Sequence, residues 1–394
     1  MREPARVQAA IEILDTILLA ARDGGAAADT IAERWFRSHR FAGAKDRAAI
    51  RALVWGAIRH AGEPPPDGRA AMVGYLQASD PARLALFDGS AHGPRPLAAD
   101  EPAARTTLAP AWLLPELRAS LGPAWEAELA ALAGRAPLDL RVNRLKVQDP
   151  AAVAATLPFP AESVRVAGID LPLALRAPAG SAVERLQAHA EGLVEIQDAG
   201  SQAVVALAGA SPGMTVVDLC AGAGGKSLAL AADMGAEGRL IASDTDRSRL
   251  SALPARAQRA GAAAMIETRL LNPGREAAAL EDLEGRADIV LVDAPCSGTG
   301  TWRRNPELRW RLSPRRLESL LNLQARLLRL GASLVRPGGR LVYAVCSVLA
   351  SEGPVLAGAF AAGAPGWTPG TAMRLTPHAH ACDGFFIACW IRTC

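Results

Sequence analysis

The amino-acid sequence predicts an α/β protein whose C-terminal part is a Rossmann-like, doubly wound parallel sheet. Three observations lead to this prediction. From residue 213 onward, short β-branched apolar runs alternate with helical stretches, which is the pattern of repeated βαβ units. Residues 1–134 show helical periodicity with little strand signal, and residues 135–205 mix short strands with a helix. We therefore expect an all-helical domain (1–134), a small α+β subdomain (135–205) and the Rossmann-like domain (206–394).

The helices of the first domain are predicted from the spacing of its apolar residues. These recur every three or four positions through residues 1–60, as on one face of a helix. The run GEPPPDG (62–68) interrupts the pattern with proline and glycine. Further helices are expected at 70–87 and, as two short ones, within 110–134.

The strands of the later domains are predicted from changes in this period. LDLRVNRLKV (138–147) alternates apolar and polar residues as a strand does, and 192–210 is typical of a strand that runs into a helix. In the C-terminal domain, helices are expected within 246–260 and 313–335. The strands of its sheet, expected in the order 3-2-1-4-5, are predicted at 214–220, 239–244, 265–274, 287–295 and 340–347.

Composition and charge are those of a globular protein with a weak preference for nucleic acid. The net charge is only +3, but 40 of the 43 basic residues are arginine, which suits phosphate and base contacts better than lysine. No apolar run approaches the roughly 18 residues of a membrane helix. The N-terminus carries acids within its apolar pattern and does not read as a signal peptide. We expect a cytoplasmic monomer with no membrane partner.

The cysteines show neither a CxxC spacing nor a neighbouring histidine cluster. That pattern disfavours a disulfide framework and a structural zinc site, and no metal is expected. Scattered thiols in a cytosolic chain are usually part of the core, so each requires its own argument. The six are Cys220, Cys296, Cys346, Cys382, Cys389 and Cys394.

A glycine-rich turn indicates a nucleoside-containing cofactor. DLCAGAGGKSLAL (218–230) leaves a predicted strand, turns through three glycines and enters a helix. Such glycines let the backbone approach a ligand, and an acid at the end of the next strand, here Asp244, commonly holds a ribose. A P-loop is disfavoured because Cys220 occupies the position of its first glycine. At the end of the third strand, Asn272 either contacts an adenine edge or caps a loop.

Two cysteines and an acid are expected at the mouth of this cofactor site. LVDAPCSGTG (291–300) carries Asp293 and Cys296, and RLVYAVCS (340–347) carries Cys346. Because the predicted strands that end in these segments are neighbours at the switch point, the side chains should face one crevice. Either cysteine alone could be a buried filler, but the pair beside an acid favours chemistry.

The stretch that follows combines arginine and tryptophan. TWRRNPELRWRLSPRR (301–316) holds six arginines, two tryptophans and one acid. Beside a catalytic crevice, this mixture suits phosphate pairing and base stacking with an unstacked strand. We predict RNA contacts from Trp302, Arg303, Arg304 and Arg309. The alternative is a solvated helix face with two structural tryptophans.

These motifs resemble those of the RNA cytosine-5 methyltransferases. The resemblance lies in DLCAGAGGK, DAPCSGTGTWRRNPELRW, VYAVCSVLASEG and DGFFIACW (383–390), and in RVNRLKV and VEIQDAGSQ upstream of them. The N-terminal helices resemble a NusB-like RNA-binding domain, and the domain order resembles the RsmB/Sun type that acts on 16S rRNA. The resemblance covers nearly the whole chain and is most specific from residue 192 onward.

The resemblance implies the roles of individual residues. Cys346 would be the nucleophile that attacks carbon 6 of cytosine, Cys296 the group that helps the product leave, and Asp293 a contact to the pyrimidine. Two positions depart from the family: Gly222–Ala223 replace alanine-proline, and Asn272 stands where an acid is usual. S-adenosylmethionine would be held by Cys220, Ala221, Gly222, Ala223, Gly224, Gly225, Lys226, Asp244, Arg249, Asn272 and Asp293.

Other functions are compatible with part of this pattern. One is a tRNA cytosine-5 methyltransferase, and another is an RNA-binding ribosome assembly factor that has lost its chemistry. The presence of Cys346, Cys296 and Asp293 together argues against the loss of chemistry. A DNA cytosine methyltransferase would use the Pro-Cys motif, and therefore Cys296, as its nucleophile; the arginine-tryptophan stretch and the second cysteine favour RNA.

Overall fold

The computed structural model describes residues 1–393. None of the helices in this range is both long and apolar enough to cross a membrane. The α-helices are α1 (Glu3–Asp23), α2 (Ala28–Ser38), α3 (Ala44–His60), α4 (Gly68–Ser79), α5 (Leu114–Leu121), α6 (Trp125–Ala133), α7 (Pro150–Ala154), α8 (Gln187–Ala190), α9 (Ala199–Ala208), α10 (Gly225–Asp233), α11 (Arg247–Leu250), α12 (Leu253–Ala260), α13 (Leu308–Arg311), α14 (Pro314–Leu334), α15 (Leu356–Gly363) and α16 (Pro377–His380).

The strands form two sheets, and all of them follow α6. A π-helix, Ser351–Val355, lies between the strands Val335–Val345 and Trp367–Leu375. The strands are β1 (Leu138–Val142), β2 (Glu162–Ser163), β3 (Ala174–Ala177), β4 (Val194–Ile196), β5 (Thr215–Asp218), β6 (Arg239–Asp244), β7 (Ile266–Leu270), β8 (Ala287–Asp293), β9 (Val335–Val345), β10 (Trp367–Leu375) and β11 (Phe385–Arg392).

The larger sheet has the order β10-β11-β9-β8-β5-β6-β7. Five neighbouring strands of this sheet are parallel: β7, β6, β5, β8 and β9. Their order confirms the predicted order 3-2-1-4-5 and the Rossmann-like fold. Two antiparallel strands extend the sheet, with β11 paired to β9. Successive residues of β5 and β8 pack into cores on opposite faces, as expected of a covered parallel sheet: Val216, Ile289 and Leu291 on one face, Val217, Val290 and Val292 on the other.

One helix of this domain differs from its prediction. The helical stretch predicted within 246–260 is present, but it is divided into α11 and α12. Pro254 lies in the first turn of α12. Because proline has no amide hydrogen, it cannot donate to the Leu250 carbonyl as a continuous helix would require.

The smaller sheet is antiparallel, in the order β2-β3-β1-β4. Leu140 and Val142 of β1 pack with Val194 of β4 in a core of their own. The buried Asp139 pairs with Arg176 over 2.7 Å. Its second oxygen accepts the Ala199 N–H that begins α9, so this sheet is bonded to the helix that leads into the larger one.

The chain divides into two compact units that are not contiguous in sequence. Unit 1 contains Met1–Gly134 and also Thr301–Pro314, whereas unit 2 contains Arg135–Gly300 and the rest of the described chain from Arg315. In unit 1, α1 packs against α3 and α4. The largest side chains of its core are fully buried: Ile13, Leu14, Ile17, Phe36, Ile50, Ile58 and Met72.

The segment 301–314 is an internal part of unit 1, which overturns its sequence interpretation. Trp302 and Arg309 are each only 1% exposed and Arg303 is 5% exposed, so these side chains have no surface to offer RNA. The prediction that they bind RNA is therefore wrong, whereas Arg304 keeps part of its surface accessible. Trp310 is buried in the helical core, and its indole N–H donates to the Ala61 carbonyl over 2.7 Å.

Arg309 instead completes the hydrogen bonding of buried main chain. Its guanidinium donates to the carbonyl oxygens of Ile58 (2.9 Å), Leu108 (3.0 Å) and Pro306 (3.1 Å). The planar guanidinium group suits this role because it carries five N–H donors in a fixed arrangement. Arg311 likewise donates to the main-chain carbonyls of Gly25 and Ala26, so two arginines of this segment serve internal hydrogen bonding.

We expect Arg309→Ala to destabilise unit 1 by about 2–4 kcal/mol, because it leaves several buried carbonyls without donors and opens a cavity. Thermal unfolding of the full chain measures this effect. The control Arg247→Ala removes an exposed arginine and should change stability by less than about 0.5 kcal/mol. Unchanged stability in Arg309→Ala, with a weaker salt dependence of RNA binding, would restore the phosphate-contact interpretation.

Candidate active site

Two thiols meet at the carboxyl ends of neighbouring parallel strands. Asp293 at the end of β8 pairs with Ala344 near the end of β9. Cys296 follows β8 after a short turn, and Cys346 follows β9 directly. Their Sγ atoms are 3.3 Å apart, and both residues keep part of their surface accessible. Open α/β sheets bind their ligands at this edge.

Direct contacts join the two cysteine-bearing loops. The Gly300 N–H donates to the Cys346 carbonyl over 3.1 Å, and the hydroxyls of Thr299 and Ser347 lie 2.9 Å apart. A Cβ at Gly300 would lie 2.0 Å from the carbonyl oxygen of Gly384. Gly300 is therefore required for this turn to lie against Gly384, and the Thr299 hydroxyl joins the two loops.

A buried carboxylate, Glu352, supports the same loops. Its side chain accepts hydrogen bonds from the Ser297 N–H and from the Gln324 amide, both over 2.8 Å, and from the Ser297 hydroxyl. The Tyr343 hydroxyl donates to its main-chain carbonyl over 2.7 Å. Glu352 itself is 0% exposed. The residue directly after Cys296 is thus bonded at both its main chain and its side chain to one carboxylate.

A partly buried ion pair places positive charge near the thiols. The Lys226 ammonium contacts Asp293 over 2.6 Å and lies 5.5 Å from the centre of the Phe385 ring. Burial disfavours the charged amine, but the Asp293 carboxylate and a negative charge on Cys346 raise the pKa of Lys226 above its usual value.

The surroundings of Cys296 keep its thiol protonated. The hydrogen bond with Cys346, together with burial and the nearby negative charges of Cys346 and Glu352, raises the pKa of Cys296 well above that of a free thiol. Cys296 is therefore held as the protonated thiol while the two sulfur atoms are in contact.

The glycine-rich turn between β5 and α10 has the geometry of a ligand cradle. Gly222 and Gly224 have φ angles of +55° and +84°, which only glycine adopts readily. A Cβ at Gly224 would also lie 2.1 Å from the Leu253 side chain. Asp244 at the end of β6 accepts the Gly222 N–H over 2.7 Å, so the predicted ribose acid lies directly beside the turn.

Residues of the upstream motif VEIQDAGSQ, which begins with strand β4 of the smaller sheet, help to hold the glycine-rich turn in place. Gln197 donates to the Gly225 carbonyl over 3.2 Å. Glu195 is ion-paired with Arg256 over 2.6 Å, and Arg256 also donates to the Ala223 carbonyl over 2.7 Å. This explains why a segment remote from the turn in sequence belongs to the same group of motifs.

The remaining predicted cofactor residues surround the turn. The main chain of Ala221 is bonded to Ser243 in the strand that ends at Asp244. Arg249 lies against Gly222, with its guanidinium 2.5 Å from the position of a Cβ there. Asn272 is exposed just after β7. Burial and three nearby carboxylates raise the pKa of Cys220 well above its usual value, so this thiol stays protonated.

The charge of the crevice fits a cationic ligand. Asp218 ends β5, is buried, and accepts the Ser227 hydroxyl over 2.6 Å, while its Oδ1 has no hydrogen-bond partner among the described residues. Burial and the neighbouring carboxylates Asp293 and Asp244 raise its pKa to about 7. An orphaned carboxylate oxygen beside two further acids would be stabilised by a positive group, such as the sulfonium and ammonium of S-adenosylmethionine.

Asp218→Asn is expected to stabilise the ligand-free protein increasingly as the pH rises from about 4 to about 7. The pKa of the folded state lies above that of the unfolded chain, so ionisation of Asp218 costs folding free energy in that interval and the cost is constant above it. The gain should reach on the order of 2–4 kcal/mol at pH 8. Thermal unfolding at pH 4.5 and pH 8 measures it. The exposed Asp100→Asn serves as the control, and an equal gain at both pH values would contradict this assignment.

Sequence reasoning missed three supporting groups, Glu352, Gln324 and Asp218. The signal for Glu352 was present, since an acid follows the apolar run after Cys346 within VYAVCSVLASEG. No cluster of three or more histidine, cysteine, aspartate or glutamate side chains in residues 1–393 has the arrangement of a metal site.

The comparisons with known proteins agree with this geometry. The family model described as 16S rRNA methyltransferase RsmB/F matches residues 205–391, and a model for the ferredoxin-like domain of RsmF/B-like methyltransferases matches residues 109–157. The probable ribosomal RNA small subunit methyltransferase B of Synechocystis sp. is 34% identical over 299 residues. The chain belongs to the RsmB/F methyltransferase family. This confirms the resemblance found in the motifs.

The alignment with that RsmB/F relative covers 71% of this chain and 66% of the relative, just under two thirds of its length. Two solved structures share the fold at 24% sequence identity. The crystal structure of PH0851 has a TM-score of 0.78 and is matched over 99% of both chains. A methyltransferase homolog protein from Pyrococcus horikoshii has a TM-score of 0.62, over 72% of this chain and 96% of that protein.

Proposed function

We propose that this RsmB/F family member methylates carbon 5 of a cytosine in 16S rRNA, with S-adenosylmethionine as the methyl donor. The observation that carries the proposal is the approach of Cys296 and Cys346 to 3.3 Å, at the strand ends that flank a glycine-rich turn. The relative from Synechocystis, named as a small-subunit rRNA methyltransferase, supports rRNA as the substrate class. The cytoplasmic location and the monomeric state remain predictions from the sequence.

The donor would be held by the turn from Cys220 to Lys226, by Asp244, Arg249 and Asn272, and by Asp293. When bound, it supplies an electrophilic methyl group on a sulfonium. The carboxylates of Asp218, Asp244 and Asp293 balance that positive charge. Gly222 and Gly224 let the main chain approach the ligand without a side chain in the way.

Cys346 performs the covalent step. Carbon 5 of cytosine is a poor nucleophile, and addition of the Cys346 thiolate to carbon 6 converts the ring into an enamine whose carbon 5 is nucleophilic. Asp293, held by Lys226 over 2.6 Å, is placed to contact the pyrimidine edge while charge develops on the ring. The target base has to leave its stack to reach this crevice.

Cys296 completes the reaction by removing the proton from carbon 5. While Cys346 is free, its charge and its hydrogen bond keep Cys296 protonated. Once the Cys346 sulfur is bonded to carbon 6, that negative charge is gone and the pKa of Cys296 falls. Cys296 can then lose its proton to solvent, take the carbon-5 proton, and allow the bond between Cys346 and carbon 6 to break.

Transfer of tritium-labelled methyl from S-adenosylmethionine to RNA tests the proposal. Purified protein should label 16S rRNA, and nuclease digestion followed by chromatography should recover the label as 5-methylcytidine. Unmodified tRNA serves as the matched substrate control. Equal labelling of tRNA would contradict the assignment to rRNA. Complete absence of transfer to any RNA, with retained RNA binding, would favour the assembly-factor alternative.

A further inference from the structure

The contact between the Cys296 and Cys346 sulfur atoms is close to the geometry of a disulfide. The Sγ atoms are 3.3 Å apart, which is roughly 1.2 Å longer than a disulfide bond. Both residues follow neighbouring parallel strands, in which Asp293 of β8 pairs with Ala344 of β9. Neighbouring strands lie about 4.8 Å apart, within the range of about 4.4–6.8 Å over which a disulfide joins two Cα atoms. The strand spacing therefore allows the two sulfur atoms to bond without a rearrangement of the sheet.

A small oxidant can reach this pair of thiols. Cys296 and Cys346 each keep part of their surface accessible, at the edge of the sheet where a substrate has to enter. Hydrogen peroxide is much smaller than the cytosine that the proposed function brings to the same place. Accessible thiols that lie beside a second thiol are the ones that oxidise reversibly. The crevice therefore admits the reagent that a disulfide requires.

The other cysteines within residues 1–393 are less suited to this chemistry. Cys382 and Cys389 are buried, so an oxidant in solution does not reach their sulfur atoms. Burial and three nearby carboxylates raise the pKa of the Cys220 thiol well above its usual value, and a protonated thiol is a poor nucleophile toward peroxide. Oxidation is therefore expected to be selective for the active-site pair.

We infer that Cys296 and Cys346 form a reversible disulfide with each other when the protein meets a hydroperoxide, and that this bond switches methyl transfer off. The inference rests on the proposed function for the roles of the two thiols, and it adds a regulation of that site. One bond removes both the attacking sulfur and the sulfur that takes the carbon-5 proton. The glycine-rich turn and Asp244 are untouched, so the oxidised protein keeps its site for S-adenosylmethionine.

The oxidation consists of two balanced steps. The Cys346 sulfur attacks one oxygen of hydrogen peroxide, the O–O bond breaks, and the products are a Cys346 sulfenic acid and water. The Cys296 sulfur then attacks the sulfenic sulfur, the S–O bond breaks, and the hydroxyl leaves with the Cys296 proton as a second water. The two thiols lose two electrons and two protons, and the peroxide takes up both. A dithiol such as dithiothreitol reverses the change by thiol–disulfide exchange.

Cys296 also protects the nucleophile in this scheme. A sulfenic acid with no thiol beside it is oxidised further to a sulfinic acid, which reductants do not reverse. Because the Cys296 sulfur already contacts Cys346, it captures the sulfenic acid before a second peroxide arrives. Oxidation of the wild-type protein therefore stops at a reversible stage.

Mass spectrometry of the full chain tests the inference. The protein is treated with a slight excess of hydrogen peroxide, quenched with catalase, alkylated with N-ethylmaleimide and digested without reductant. The peptides that contain Cys296 and Cys346 should appear as one cross-linked species, which dithiothreitol should separate. Cys389→Ala is the control and should give the same species. An oxidised wild-type protein in which the two peptides stay separate would overturn the inference.

Cys296→Ala removes the capturing thiol and leaves the nucleophile in place. Dimedone, which labels sulfenic acids, should label Cys346 of this variant severalfold more than Cys346 of the wild type. Longer exposure to peroxide should give a sulfinic acid that dithiothreitol does not reverse. Equal dimedone labelling of the two proteins would mean that Cys296 does not capture the sulfenic acid, and would contradict the inference. Neither readout depends on turnover.

Methyl transfer separates this inference from the proposed function. The oxidised wild-type protein should lose more than about 90% of its methyl transfer to rRNA and regain it after dithiothreitol, while it binds S-adenosylmethionine as the reduced protein does. A wild-type protein that methylates rRNA but forms no disulfide would overturn the inference and leave the function standing. A wild-type protein that methylates no RNA but forms the reversible disulfide would support the thiol chemistry and contradict the function.

Discussion

Cys296→Ala is expected to accumulate a covalent protein–RNA adduct that survives denaturing electrophoresis, whereas Cys346→Ala should form none and transfer no methyl group. The reason is the division of roles between two sulfur atoms 3.3 Å apart. Without Cys296, no thiol is available to take the carbon-5 proton, so the bond between Cys346 and carbon 6 persists after methylation. Without Cys346, that bond never forms. Turnover should fall by at least about 10³-fold in either variant.

The double variant and a neutral cysteine provide the controls. Cys296→Ala combined with Cys346→Ala should show no adduct, because the trapped species needs the nucleophile. Cys389→Ala, at a buried cysteine on β11, should keep turnover within a fewfold of the wild type. An adduct in Cys346→Ala that is absent from Cys296→Ala would reverse the two assignments, as in the DNA-type alternative.

Glu352→Gln should lower kcat by about 100-fold or more while leaving the KM for S-adenosylmethionine within a small factor of the wild type. The Glu352 carboxylate accepts three hydrogen bonds, two from Ser297 and one from Gln324. An amide in its place turns one acceptor into a donor that faces other donors, and the loop that carries Cys296 must shift. Misplacement of a reacting group by about 1 Å costs a rate factor of this size.

Alkylation by iodoacetamide distinguishes this positioning role from a loss of folding. In Glu352→Gln, the rate of Cys346 alkylation at a fixed pH should change, because the contact between its sulfur and Cys296 is altered. Val355→Ala, at a 62% exposed residue of the same π-helix, is the matched control and should behave as the wild type. A variant with normal kcat, or one whose only change is a lower unfolding temperature, would remove Glu352 from the positioning role.

The sequence predicts the approach of Cys296 and Cys346 because that approach depends on strand order. Parallel strands place their carboxyl ends at one edge of the sheet, so residues that follow neighbouring strands meet there. The apolar runs that end at Asp293 and Val345 are long enough to identify as buried strands, and their order follows from the βαβ pattern. Sequence separation then matters little, even for two residues 50 positions apart.

The contacts that support these loops are harder to predict. Glu352 bonds to Ser297 and Gln324, and nothing in the local sequence of any of the three indicates the other two. The local sequence also does not predict that β10 and β11 extend the sheet, although DGFFIACW in β11 is one of the family motifs. Such pairings are decided by tertiary contacts, which a local pattern does not contain.

The misassigned segment shows the limit of reasoning from composition. Arginine and tryptophan suit an RNA surface, but the same groups also suit a buried site that needs many N–H donors. Arg309 satisfies main-chain carbonyls at Ile58 and Leu108, and Trp310 fills the helical core. Only long-range structure separates the two uses.

Because residues 301–314 belong to unit 1, this unit can complete its folding only late in translation. The first 134 residues leave the ribosome long before the segment that fills their core. Until Trp310 and Arg309 emerge, the core lacks a large side chain and the carbonyls of Ile58 and Leu108 lack their donors. The helical unit therefore cannot finish folding before most of the catalytic sheet has been synthesised. A nascent chain that stalls before residue 301 would present this unfinished core to chaperones and proteases.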